Sequence, residues 1–369
     1  MKFNFMKRMV IASVSWAELQ MRVPRLISVC RRMTGRGIAM ETSNSTASKK
    51  SNGATKTFLL PLITAITLCA FLTNIIWTHP GSGIVVGQKG QVFFIDTGNP
   101  DVRLSGCIWE IDVQGKLTCF YPTGAHWLAL DANGDFARAD FKKWFDQRIT
   151  PNFERVPLSD PKSALIQTDG APFVVGQDGY LYYANGHLEI TRLSPNGRMT
   201  LLAPNLKEMT NKLGGIMGLA SGPDGSLYAT YPSAVLKIKL DGTVKTLIHP
   251  IVLKDCDKDL PPETPESQKP YLRGLAVDRR GTVYTAATGC RCVLKITPDG
   301  QVKTILTAER PWSPTGIAVF GDDVYVLEYT NANGARNEGW LPRVRKLGRD
   351  GKVTMLVTIS KEERERRPR

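Results

Sequence analysis

The chain reads as all-β: a six-bladed β-propeller preceded by one N-terminal transmembrane helix. Three observations predict this. Six copies of one short pattern run from Gly83 to about Ile359. In most copies the second strand begins with an aliphatic residue followed by an aromatic one. Before the copies, Thr57 to Trp77 form 21 residues without a charge. A unit of four short strands cannot bury both faces alone, but copies about 45 residues apart can pack side by side and close a ring.

The elements justify themselves in chain order. Residues 1–56 carry eleven Lys/Arg against Glu18 and Glu41, and Ser, Thr, Asn and Lys crowd their second half. This stretch is expected to be a basic, disordered cytoplasmic tail. Met33 and Met40 are alternative starts within it. Residues 57–77 then hold Phe58, Leu59, Leu60, Leu62, Ile63, Ile66, Leu68, Phe71, Leu72, Ile75 and Ile76. At about 1.5 Å per residue they span a bilayer core. Bases lie before the segment and none directly after it, so the N-terminus should stay cytoplasmic and the propeller should be exported, periplasmic or extracellular. A cleaved signal peptide is the competing reading. The length, the boundary Trp77 and the lack of a clear small-x-small site after Ala70 favour a single-pass signal anchor.

The copies occupy 83–360. The turn between their first two strands places Gly90, Gly134, Gly179, Gly225 and Gly281, with Asp322-Asp323 in the sixth. Val92-Phe93, Phe136-Ala137, Leu181-Tyr182, Leu227-Tyr228, Val283-Tyr284 and Val324-Tyr325 follow. Adjacent strand residues point to opposite faces, so an aliphatic-aromatic pair means both faces are buried, as between two blades. Hairpin glycines come next at Gly115, Gly197, Gly242, Gly300 and Gly351. Each follows an apolar residue by four positions: Ile111, Leu193, Ile238, Ile296 and Leu347. Most are preceded by Asn or Asp, as tight hairpins require. In the second copy the hairpin has drifted to Ile149-Thr150-Pro151-Asn152-Phe153 and lacks the glycine. Lys361 to Arg369, rich in Glu and Arg, read as a solvated charged tail.

The pattern resembles the NHL repeat, most clearly in Gly274-Leu275-Ala276-Val277-Asp278, Gly281-Thr282-Val283-Tyr284 and Val293-Leu294-Lys295-Ile296. It is similar too to the wider TolB-like group of six-bladed propellers, with gluconolactonase/regucalcin-like, virginiamycin B lyase and strictosidine-synthase-like proteins. That group includes binding scaffolds, lactonases and lyases, so the resemblance implies a fold and leaves the activity open.

Charge narrows the partners. The formal net charge is +14, but the N-terminal tail holds +9 and the last nine residues +2, leaving about +3 on the propeller. No nucleic-acid partner is expected. Of the seven cysteines, Cys107 and Cys292 share a register in distant blades and cannot pair, while Cys119 looks out of register with Cys107. Cys256, in the insert before the fifth copy, and Cys290, in a loop on the same rim, could form a disulfide. Two free thiols are the alternative. Cys290-Arg291-Cys292 is too tight for a zinc site.

The longest excursions, Thr97–Gly106, Ala203–Gly215, Pro250–Tyr271 and Thr330–Pro342, all emerge on one rim, the expected binding face for a small molecule or protein. Trp312 and Trp340 lie on that rim. The residue closing the second strand reads Asp96, Asp140, Asn185, Tyr231, Ala287 and Glu328 along the copies. Around a closed ring Glu328, Asp96, Asp140 and Asn185 become consecutive, an oxygen-ligand arc suited to Ca²⁺. The resemblance to lactonases implies such a set; a metal there could polarise a lactone or ester carbonyl, with His126 or a carboxylate as base and Arg273 holding an anionic group. A turn-capping role for Asp96 and Asp140 is the other reading, and Arg343, Arg345 and Lys346 look like a strand edge needing no partner. The sequence therefore favours a membrane-tethered binding propeller, with a Ca²⁺-dependent lactonase or hydrolase as the alternative, and leaves open whether it is an enzyme.

Overall fold

The computed structural model describes residues 80–98, 106–122, 126–130, 136–139, 153–156, 171–185, 188–194, 198–204, 206–253, 256, 270–330 and 340–365. The expected tail 1–56 and anchor 57–77 lie outside them. Among the described residues no helix is long and apolar enough to cross a membrane.

Among the described residues twenty-two strands form the body. The first copy gives β1 (Ile84–Val86), β2 (Val92–Asp96), β3 (Cys107–Ile111) and β4 (Leu117–Pro122). The second gives β5 (Phe136–Ala139) and β6 (Phe153–Val156). The third gives β7 (Phe173–Val175), β8 (Leu181–Asn185), β9 (Glu189–Leu193) and β10 (Met199–Leu201). Helix α1 (Leu206–Leu213) then leads to β11 (Gly218–Ser221), β12 (Leu227–Tyr231), β13 (Ala234–Ile238) and β14 (Val244–Ile248). The fifth copy holds β15 (Leu272–Val277), β16 (Val283–Ala287), β17 (Cys292–Ile296) and β18 (Val302–Thr307). The sixth holds β19 (Trp312–Phe320), β20 (Asp323–Thr330), β21 (Pro342–Leu347) and β22 (Val353–Thr358), before helix α2 (Lys361–Glu365).

Among the described residues five copies make four-stranded antiparallel meanders, the blades of a propeller, and the second copy contributes the β5–β6 pair. The expected six complete blades are thus corrected to five. The physical reason lies in the turn: the second copy lacks the hairpin glycine that lets a third and fourth strand fold back on each other. The place beside the first blade is not empty, however. Ser82 and Gly83 donate their backbone N–H groups to the His126 carbonyl at 2.9 and 3.0 Å. A Cβ on Gly83 would come within 2.8 Å of the Leu128 backbone nitrogen. Trp127 and Ala129 pack on Phe173, Val175, Leu181 and Tyr183 of the third blade, while Leu128 packs on Phe93 and Ile95 of the first. Residues 126–130 therefore occupy the innermost-strand position between the first and third blades.

Strand parity places every second-strand side chain. Val92 and Phe94 face the sixth blade's Tyr325, Leu327 and Tyr329, whereas Phe93 and Ile95 face Leu128. In the sixth blade Val324 and Val326 meet Ala286, Val293 and Leu306 of the fifth. Burying each such ring or branched chain stabilises the seam by about 1.5–3 kcal/mol. Near the axis the seams are stitched by hydroxyls: Thr230 Oγ1 donates to the Arg273 carbonyl at 2.6 Å, Thr288 Oγ1 to Pro314 at 2.7 Å, and Thr315 Oγ1 to Gly81 at 2.7 Å. The last of these joins the sixth blade to the chain entering the first. There a Cβ on Gly316 would sit 2.3 Å from the Ser82 carbonyl oxygen, so only glycine permits the approach.

The first-turn aspartates support the blades from the other rim. Asp278 Oδ1 accepts from the backbone N–H groups of Arg280 at 2.8 Å and Thr282 at 2.9 Å. Asp178 accepts from the Tyr182 hydroxyl at 2.6 Å and from Arg192 at 3.1 Å.

Candidate functional site

The residue closing each second strand lies two positions beyond a side chain that faces the preceding blade. It must therefore point into a seam, and the structure shows what each seam does with it. In the fourth blade Tyr231 is fully buried and its hydroxyl meets Thr210 of α1 at 3.2 Å. In the fifth, Ala287 packs with Val235 and Leu272. Asp96 and Glu328, each 0% exposed, face successive seams separated by the thickness of the sixth blade. Two carboxylates buried without partners would not remain charged there.

Asp96 is held by Arg364 of α2. Arg364 Nε reaches Oδ2 at 3.0 Å and Nη2 reaches Oδ1 at 2.6 Å, a two-pronged pair. The Gly98 N–H also donates to Oδ1 at 2.9 Å, so the turn-capping role is present too. Arg364 itself is 3% exposed and donates to the Trp340 carbonyl of the sixth blade. Its helix opens with a capping box: Glu363 N–H donates to Ser360 Oγ at 3.0 Å, and Ser360 N–H donates to Glu363 Oε2 at 2.8 Å. The stretch from Lys361, expected to be a solvated tail, is here a ring-closing helix as far as Glu365. Across the same seam the Tyr329 hydroxyl donates to the Ile95 carbonyl, and full burial pushes that phenol's pKa far up.

Glu328 sits in a box of four charges. Arg343, opposite it across the β20–β21 pair, donates Nε to Oε2 at 2.5 Å, and Arg345 donates Nη2 to Oε1. Glu309, in the short connection from β18 to β19, approaches the same arginines from outside. Its Oε1 lies 2.5 Å from Arg343 Nη1 and its Oε2 lies 3.9 Å from Arg345 Nη1. The Arg343 hydrogen bond, above all, holds the Glu309 carboxyl down at about 2. The Trp312 ring lies 4.2 Å from the Arg343 guanidinium carbon, a cation–π contact at the rim. Arg343 and Arg345 therefore need partners after all, and have them.

These placements bear on the expected Ca²⁺ arc. Glu328 and Asp96 are not brought together, and each is neutralised by arginine. Among the described residues no group of three or more His, Cys, Asp and Glu could hold a metal ion. Asp140 and the Asn185 side chain lie outside the described residues. The two expected ligands whose side chains are described, Glu328 and Asp96, are each taken up by arginine and do not fit Ca²⁺. His126 is half-buried and its carbonyl binds the first blade, while Arg273, 4% exposed, donates Nη2 to the Pro80 carbonyl at 2.5 Å. Arg273 is tied to the chain entering the ring.

Two disulfides complete the rim and its edge. Cys256 and Cys290 are bridged, Cα–Cα 4.2 Å, pinning Cys256 of the insert against the fifth blade. Cys107 and Cys119 are bridged as well, Cα–Cα 6.0 Å, which corrects the expectation that they are out of register. A bulge between Ile108 and Trp109 shifts β4 against β3 and places Cys119 opposite Trp109, within reach of Cys107. Cys292 is buried and free, and burial pushes its thiol up to about 11.

Sequence reasoning missed Arg364, Glu309 and the roles of Arg343 and Arg345. The Ser360-x-x-Glu363 box was a visible sign of α2. Counting back from the Gly351 hairpin would have set Arg343 opposite Glu328.

No protein-family model matches the chain. No curated protein matches it. Solved structures do. Virginiamycin B lyase from Staphylococcus aureus is 17% identical over 75% of this chain and 84% of that one, with a TM-score of 0.42. A gluconolactonase from Xanthomonas campestris is 14% identical over 68% and 83%, TM-score 0.45. A calcium-binding protein, regucalcin, from Agrobacterium tumefaciens is 15% identical over 73% and 90%, TM-score 0.46. At these values no activity passes from any of them to this chain.

Proposed function

We propose that this chain is an exported, membrane-tethered β-propeller that binds a small molecule or protein partner on its loop-rich rim. The observation that carries this reading is the fate of the two rim carboxylates. Glu328 and Asp96 are spent on holding blades together, which supports a scaffold whose long rim loops, as read from the sequence, do the binding. Two disulfides agree with a chain that matures outside a reducing cytoplasm. The uncharged run before the first blade supplies the tether.

Calorimetric titration of the purified full-length chain with Ca²⁺ tests the choice against the lactonase-type alternative. The binding-scaffold reading expects no saturable heat from wild type or from Glu328→Gln. Saturable binding that the substitution abolishes would reinstate the metal-dependent hydrolase. Export is tested by adding a membrane-impermeant maleimide to intact cells after mild reduction. Labelling at Cys119, the partly exposed half of its bridge, is expected; protection of Cys119 from the reagent in intact cells, with labelling only after lysis, would place the propeller inside.

A further inference from the structure

The charge box at the junction of the fifth and sixth blades has an inner and an outer half, and they are built differently. Its inner anion, Glu328, is fully buried and bonded to both arginines. Its outer anion, Glu309, has a side chain 63% exposed and comes from a connecting turn. Glu309 engages one nitrogen of Arg343 and stands 3.9 Å from Arg345, beyond hydrogen-bond distance.

The arginines therefore keep unused donors. Arg343 Nη2 and Arg345 Nε are buried and have no acceptor among the described residues. Nη1 and Nη2 of one guanidinium form a fork matched to the two oxygens of a carboxylate. Glu309 takes the Nη1 prong alone. A carboxylate not tethered to the turn could take both. Trp312, half-buried, lies against the face of that same guanidinium at 4.2 Å. A flat carboxylic acid lying in the guanidinium plane would extend over the same indole.

We propose that Arg343, Arg345 and Trp312 form a carboxylate-binding site on the rim, with Glu309 as a resident counter-ion that the ligand's carboxylate displaces. The inference rests on the rim-binding reading above and gives that rim a ligand class. Glu328 stays in place throughout, so exchange of the outer anion leaves the seam neutral. A free aromatic acid and an acidic side chain of a partner both supply such a carboxylate, and the two sources are distinguished by probe.

The test is calorimetric titration of the full-length chain with benzoate, benzamide and an N-acetyl-aspartyl peptide. Glu309→Gln removes the competing charge while leaving the arginines in place. It should bind benzoate about five-fold more tightly than wild type, because a charge-assisted fork replaces a neutral amide. Benzamide should not bind either protein. Trp312→Ala in the Glu309→Gln background should weaken benzoate more than the aspartyl peptide if the source is an aromatic acid, and both equally if it is a side chain. Equal benzoate affinity in wild type and Glu309→Gln, or no binding by either, would overturn the site. So would benzamide binding as well as benzoate. Far-UV dichroism and an unchanged melting temperature would establish that Glu309→Gln is folded, with Glu309→Ala as the second variant. The wild-type Ca²⁺ titration and the maleimide labelling do not alter Arg343, Arg345 or Trp312, so failure of this site would leave the scaffold reading to stand or fall on those two measurements.

Discussion

Asp96 and Glu328 stand at one register position in blades that are neighbours around the ring, yet their seams are secured from opposite directions. Glu328 is answered by Arg343 and Arg345 from its own blade's third strand, and Glu309 of the preceding connection pairs with the same arginines. Asp96 is answered by Arg364, 268 residues away, on a helix beyond the last blade. The difference teaches where each seam gets its cation. Between the fifth and sixth blades the chain is continuous and can place partners locally. Between the sixth and first, the two ends of the ring must meet, and no strand is exchanged to join them. An appended helix does the joining.

The largest expected effect follows from that asymmetry. Arg364→Ala leaves Asp96 buried without a cation and detaches α2 from Trp340. It should lower stability by about 3–5 kcal/mol in urea unfolding. A loss below about 1 kcal/mol would mean the closure does not depend on this pair. Glu328→Gln should cost less, about 2–3 kcal/mol, because Glu309 still opposes one arginine and the amide can still accept a hydrogen bond. If the two losses came out in the reverse order, the long-range latch would matter less than the local box.

Cys256→Ser with Cys290→Ser sharpens the comparison from the other side, since this bridge pins the insert and lies in neither carboxylate seam. A loss of about 2–4 kcal/mol is expected, with the Arg364→Ala penalty unchanged on top of it. Strong non-additivity would mean that the insert and the closure communicate.

The smallest effect concerns Glu309. Its side chain is mostly exposed, so Glu309→Gln should change stability at neutral pH by less than about 1 kcal/mol. Its carboxyl is held below the ordinary 4.5, at about 2, by Arg343. A lowered pKa means that the stabilisation is fully present above 4.5 and is lost as pH falls through about 2. The wild-type advantage over Glu309→Gln should therefore shrink across that window. A difference that grows with acidification would contradict the assignment.

Much of this architecture was legible, for identifiable reasons. Glycines at turn positions and aliphatic-aromatic pairs repeat because each blade solves the same packing problem, as Val283-Tyr284 and Val324-Tyr325 do. The departure of the second copy was signalled by its missing hairpin glycine, although the count of complete blades was not read from it. The candidate site was less legible. Placing Glu328 and Asp96 around the axis ignored the parity that had already assigned Phe94 and Val326 to seams. Arg364 was obscured because composition alone makes Lys361 to Arg369 look solvated, while its burial depends on a partner far away in sequence. Cys107 and Cys119 were misjudged because a single bulge, invisible in the residue pattern, changes their register.

The most direct test is a double-mutant cycle on the ring closure, using Asp96→Asn, Arg364→Met and the combination, read by urea unfolding of the full-length chain. If an arginine beyond the last blade neutralises the carboxylate at the first, the two should couple by about 2–3 kcal/mol, with the double variant more stable than the sum of the single losses allows. Losses that add to within about 0.5 kcal/mol would show that Asp96 and Arg364 act independently, and the carboxylate would have to be assigned another purpose.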